Sequence, residues 1–185
     1  MAERSIFGSS VVPFRVVFLM WLVFFLEFVY GWPLSGLGIH PRSIFGLIGI
    51  FTAPLIHGNL SHLVSNTVPL IFLGATIFFF YPRIGGAVFF RAFFWTNILV
   101  WLFARPANHI GASGLVYGLA FFLIFFGIFR RDMISILISV ITLLLYGGVF
   151  YGVLPTDPVV SWESHLAGAL VGITSAITFS KKRTG

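Results

Sequence analysis

The chain has 185 residues, of which 58% are hydrophobic and only 9% charged, with 24 Phe. A soluble domain carries about a quarter charged residues, and a core this apolar would need far more polar covering than the chain supplies, so an integral membrane protein is expected. The net charge of +6 is spread as single basic residues and short clusters between apolar runs; with no basic stripe interleaved with aromatics, it argues for membrane orientation rather than nucleic acid as a partner.

Six segments come close to the roughly 17–25 apolar residues a spanning helix needs. The first is Pro13–Tyr30. No small-residue cleavage site clearly follows it, so it reads as a retained helix, not a signal peptide. Leu60–Tyr81 and Gly86–Ala104 come next, parted by YPRIGG around Arg83. ARPANHIG around Arg105 then leads into Ser113–Phe129. RRD at Arg130 separates this from Met133–Gly152, and LPTDP around Asp157 separates that from Glu163–Ser180. Gly, Pro and charge mark each break. There is no internal repeat, and no cysteine to allow disulfides, thiol catalysis or Cys-held metal. The expected architecture is all-α: one polytopic six-helix membrane domain over residues 1–185, in contact with the lipid bilayer.

Basic residues set its orientation. With the N-terminus inside, the inner segments hold Arg4, Arg15, Arg83, Arg91, Arg130, Arg131, Lys181, Lys182 and Arg183, and the outer ones hold Arg42 and Arg105. This bias places both termini in the cytoplasm. The second, fourth and sixth segments then start at the outer face. His62 and Asn66, Ser113, and His165 lie near those three starts, at similar depth. Nothing in the composition forces that agreement, and it argues for one shared site.

GASGLVYG (Gly111–Gly118) opens the fourth segment and supplies Ser113. A serine hydroxyl is a weak nucleophile that needs a base within hydrogen-bond reach. His165, in SHLAGALVG (Ser164–Gly172), is such a base. Gly114 and Gly118 on one segment, and Gly168 and Gly172 on the other, have the small-xxx-small spacing that lets helix backbones approach. Taken alone, that spacing fits a plain packing seam equally well. Tyr117 is one turn after Ser113 and can stack on the His165 ring. In HGNLSHLVSN (His57–Asn66), His62 and Asn66 are spaced i, i+4 and project together. With the Ser113 N–H they can stabilise an oxyanion at the positive end of the fourth helix. The bland alternative is a pair of interhelical hydrogen bonds, worth about 0.6 kcal/mol each.

The remaining polar residues carry less. His57 is roughly 140° around the helix from His62 and reads as structural. His109 is a rival base, but a solvated loop position fits it better. His40 carries no signal. Glu163 points away from His165, Asp157 and Asp132 lie in loops, and Glu27 ends the first segment, so catalysis would rest on a Ser–His dyad.

With these motifs in this order, the chain resembles the rhomboid intramembrane serine proteases over nearly its whole length as a minimal six-helix core. The family pattern is GxSG at the start of helix 4, a His followed by small residues in helix 6, and HxxxN in helix 2. It falls here on Gly111–Ala112–Ser113–Gly114, on His165 with Gly168 and Gly172, and on His62 with Asn66. The resemblance implies Ser113 and His165 as catalytic residues, Tyr117 stacked on the catalytic His, and a first loop, Gly31–Thr52, partly sunk in the outer leaflet. One departure stands out: many rhomboids carry a Trp–Arg pair in that loop, whereas HPRSIFG has Arg42 and no adjacent Trp.

The expected activity is endopeptidase cleavage of transmembrane protein substrates near the outer face of the cell membrane, with no metal or organic cofactor; HExxH is absent. Gly152–Ser161 would form a mobile cap and the fifth helix a lateral gate, closed by Leu145 or Val149 against the second. The alternatives are a noncatalytic membrane-protein binding or quality-control factor on the same fold, or a His-relay transporter. The transporter would require charged residues deep in several spans, and there are almost none.

Overall fold

The computed structural model describes residues 5–182, so Arg4 and Arg183 of the charge count lie outside the described residues. Among the described residues there are no strands; the chain is built of six long helices and short helical turns. The long helices are α1 (Ile6–Tyr30), α2 (Leu60–Phe80), α3 (Pro82–Phe103), α4 (Ser113–Arg130), α5 (Met133–Tyr146) and α6 (Trp162–Phe179). By length and composition, α1 to α4 can each cross a membrane.

Local chemistry sets several helix ends. Ser5 caps α1, Asn59 caps α2 through the His62 N–H, and Asp132 caps α5 through the Ser135 N–H. Each side-chain oxygen satisfies an otherwise orphaned backbone donor. The Ser5 cap starts α1 seven residues before Pro13, which leaves Arg15 inside a helix. Arg91 is likewise inside α3.

The fifth apolar segment also departs from expectation. Instead of running from Met133 to Gly152, α5 stops at Tyr146, and Gly147–Gly148 leads into a single helical turn at Val149–Gly152. Fourteen residues rise about 21 Å, short of a hydrocarbon core of about 30 Å.

Helix α4 is the centre. Two-thirds of it is buried, against about a sixth of the apolar window in α1. It packs on α6, α5, α3 and α2. Phe122, Phe126, Leu119 and Leu123 of α4 join Leu70, Leu73 and Ile77 of α2 and Tyr81 in one continuous apolar core.

The α4–α6 seam is the closest. A Cβ on Gly168 would collide with the Gly114 carbonyl, and one on Gly172 with the Gly118 carbonyl. Helices α3 and α6 run antiparallel: Arg105, just past the end of α3, pairs with Glu163 at the start of α6 at 3.4 Å.

Candidate active site

The glycine seam sets the distance between the two helix starts. With Gly168 seated on Gly114, the Ser113 Oγ lies 2.9 Å from His165 Nε2. His165 is buried, and its other ring nitrogen, Nδ1, lies 2.8 Å from the Gly152 carbonyl oxygen. A carbonyl can only accept, so Nδ1 carries the proton and Nε2 is left as the acceptor for the Ser113 hydroxyl. The site thus has a third member: a backbone oxygen stands where a carboxylate would orient the imidazole in a triad. Sequence reading missed it, because a backbone carbonyl contact leaves no mark on residue type. Gly152 is required by crowding, since a Cβ there would collide with the Tyr117 hydroxyl.

Tyr117 lies flat on His165, with ring centroids 4.0 Å apart and planes 8° from parallel. The face of the imidazole is covered and its edge is fixed by Gly152.

Ser113 is the first residue of α4, and no side chain caps this helix. Two N–H groups before it are already used: Gly111 N–H donates to the Ala53 carbonyl at 2.8 Å, and Ala112 N–H to His57 Nε2 at 3.3 Å. The first-turn donors from Ser113 onward have no intrahelical partner, as at any helix N-terminus. They carry the positive end of the helix dipole.

His62 packs on Gly111, which has φ +105; a Cβ there would collide with the imidazole. Only glycine suits this position on both counts. Asn66 is buried, and its amide donates to the His62 carbonyl at 3.0 Å, within its own helix. One N–H of that amide is therefore already taken.

His57 does not stand apart from His62. The two rings meet edge to face at 4.9 Å. His57 is 1% exposed. Burial, and then the neighbouring His62, hold its pKa down at about 4 from its ordinary 6.5. The ring stays neutral, which its acceptor role toward Ala112 requires.

His109 is buried rather than solvated. Its Nδ1 is 2.6 Å from the Ser161 Oγ and its Nε2 accompanies the Arg105 carbonyl at 3.0 Å. With both nitrogens engaged it is a brace, not a base for Ser113. Its backbone pairs with Ile39 of the first loop.

Arg105 donates to the Pro158 and Val160 carbonyls at 2.8 and 2.9 Å. The 153–161 segment is thereby held at one end by Arg105 and His109 and begins, at the other, on the Gly152–His165 contact.

Helix α3 and the first loop are tied together through Trp101 and Arg42. Trp101 Nε1 donates to the Ser43 carbonyl at 2.9 Å, while Arg42 donates to the Leu102 and Ala104 carbonyls.

Comparison with known proteins gives the family. A family model described as the rhomboid domain matches residues 45–182. The chain belongs to the rhomboid family. It is 34% identical to uncharacterized proteins of Mycobacterium bovis and Mycobacterium tuberculosis, over 94% of its own length and 75% of theirs. It is 35% identical to an uncharacterized protein of Mycobacterium leprae, over 94% of its length and 71% of that protein's. Rhomboid membership and the apolar helices make it an integral membrane protein.

Proposed function

We propose that this rhomboid is an intramembrane serine endopeptidase that cuts within or near transmembrane segments of other proteins. The observation that carries the reading is the Ser113–His165–Gly152 chain of contacts, at 2.9 and 2.8 Å. His165 Nε2 takes the Ser113 proton as Oγ bonds to the scissile carbonyl carbon. The tetrahedral oxyanion is held by the Ser113 N–H at the α4 dipole, by His62 and by the free N–H of Asn66. His165 then returns the proton to the leaving amide nitrogen as the C–N bond breaks. Water, deprotonated by the same Nε2, cleaves the acyl-enzyme and restores Ser113.

In this reading the chain crosses six times as one domain, with α5 and the turn at Val149–Gly152 together making the fifth crossing. Both termini face the cytoplasm and the site opens outward. Ile44 and Phe45, among the most exposed apolar residues, sink the first loop into the outer leaflet. The test is labelling of the detergent-solubilised protein with a fluorophosphonate, followed by peptide mapping. Adduct at Ser113, lost in Ser113→Ala and in His165→Ala, is expected. An unlabelled, folded protein would favour a noncatalytic binding factor on this fold.

A further inference from the structure

Arg91 is the one charged group set well within α3, nine residues past its start. The ion pairs among the described residues are Arg105–Glu163 and Arg130–Asp132, so neither engages it. Its Nε is fully buried and has no hydrogen-bond partner. The remaining described carboxylates are engaged elsewhere: Glu27 accepts from the Ser35 N–H and Asp157 from the Val159 N–H. A guanidinium without a counter-charge at membrane depth is costly and calls for an anion.

The surroundings say where that anion sits. Side chains on a helix lean toward its N-terminus, and α3 starts at the membrane face opposite the Ser113–His165 site. Arg91 leans that way. Its guanidinium lies 5.7 Å from the ring of Phe179, the last residue of α6. Lys182 Nζ is 5.2 Å from the same ring. Two cations thus lie within 6 Å of one aromatic ring at the end of the α3–α6 seam. Above them, Arg91, Trp95 and Leu99 of α3 face Val171 and Thr174 of α6 across an open groove of about 280 Å³. Trp95, Leu99, Val171 and Thr174 line the groove, Arg91 stands at its foot, and Lys182 lies nearby on the Phe179 ring. That is the shape and charge of a phospholipid: an acyl chain along Trp95, Leu99 and Val171, and a phosphate at Arg91 and Lys182.

We propose that this groove is a binding site for an anionic phospholipid of the leaflet opposite the active site, its phosphate held by Arg91 and Lys182. Arg can grip a phosphate bidentately, where Lys acts as a point charge. The lipid would tie α3 to the end of α6 and so hold the helix that carries His165.

The test uses the full-length protein in neutral detergent, with retained lipids read by native mass spectrometry and thermal unfolding read with added phosphatidylglycerol, phosphatidylcholine or inorganic phosphate. These readouts do not depend on proteolysis, so the proposal can fail while the protease reading stands, and the reverse. Wild type is expected to retain one phosphatidylglycerol in preference to phosphatidylcholine. Each basic residue near an anionic surface is worth about fivefold in occupancy. Lys182→Gln, at an exposed position, should therefore cut the preference by about fivefold, and Arg91→Gln by more. Arg91→Lys should restore only part. Equal retention of the two lipids, or a preference unchanged in both Gln variants, overturns the site. Stabilisation by inorganic phosphate equal to that by phosphatidylglycerol overturns the lipid as occupant. Should Arg91→Gln fail to fold, Lys182→Gln and Trp95→Ala decide alone.

Discussion

The Gly152 carbonyl oxygen lies 2.8 Å from His165 Nδ1, and the same glycine leaves no room for a side chain against Tyr117. One backbone position therefore orients the imidazole and admits the ring that stacks on it. It also belongs to the segment between α5 and α6, so movement of that segment is felt directly at the base.

Gly152→Ala should lower kcat by about 10²-fold, the cost of misplacing a catalytic group by about 1 Å, with substrate KM little changed. Gly148→Ala, four residues earlier, has open space around its Cβ and should leave kcat unaltered. Steady-state cleavage of a single-span substrate by both variants checks this. Equal rates would remove Gly152 from the positioning of His165.

Ser113→Ala and His165→Ala should each abolish cleavage, by about 10⁴-fold or more, and the double variant should be no worse than either alone. Folding should survive, because Ser113→Ala removes one partly exposed hydroxyl. His62→Ala should lower kcat more than it changes KM. Asn66→Ala should cost less, since its amide already donates to the His62 carbonyl. Residual cleavage by purified Ser113→Ala would sink the mechanism.

Gly168→Ala should destabilise the protein by roughly 1–3 kcal/mol, the usual range for overpacking. The group its Cβ would strike is the Gly114 backbone, not a movable side-chain tip. Activity should fall with stability, because Gly114 is next to Ser113. Gly86→Ala, in open space on α3, should be neutral or stabilising by up to about 1 kcal/mol. Thermal unfolding in detergent reads both.

How much of this was legible in the sequence depends on the kind of contact. Ser113, His165 and the four glycines announce themselves by spacing along single helices, and a 2.9 Å meeting follows once the glycines interlock. The Gly152 carbonyl on His165 and Trp101 reaching Ser43 join separate elements through backbone oxygens, and His109 meets Ser161 side chain to side chain across 52 positions. No local pattern encodes them. The end of α5 was obscured because hydropathy continues through Val149 and Phe150, although Gly147–Gly148 interrupts the helix. Asn66 shares a face with His62 as its spacing requires, yet part of its donor capacity goes to its own helix.

His57 makes the fold sensitive to acid. Its folded pKa of about 4 lies below the ordinary 6.5, so between these values the unfolded chain binds the proton more readily. Stability from this group is complete above about pH 6.5 and is lost as pH falls toward 4, by up to about 3 kcal/mol. Protonation also removes the acceptor for Ala112 N–H, next to Ser113. In His57→Gln, whose amide oxygen can still accept, the fall in unfolding temperature between pH 6.5 and 4 should be smaller than in wild type. An identical fall in both proteins would assign the acid sensitivity elsewhere.

The last prediction concerns the lateral entrance. Leu145 is 60% exposed, so it is not the residue that closes α5 on α2. The aromatic contact between these helices is Tyr146 with Phe72, ring centroids 6.0 Å apart. Under the protease reading proposed above, a substrate helix passes between α2 and α5 and unwinds before its carbonyl reaches Ser113, because helical carbonyls are already hydrogen-bonded. An aromatic pair is worth about 0.5–1.5 kcal/mol, so Tyr146→Ala or Phe72→Ala should raise the rate roughly two- to tenfold if opening limits it. Replacing a Gly near the cut by Leu should slow cleavage, since Gly weakens the substrate helix by about 1 kcal/mol. The gate variants should not change that substrate preference, because they act on opening and not on unwinding. Uniform rates across gate variants and substrates alike would reject the access model and leave the assignment of Ser113 and His165 untouched.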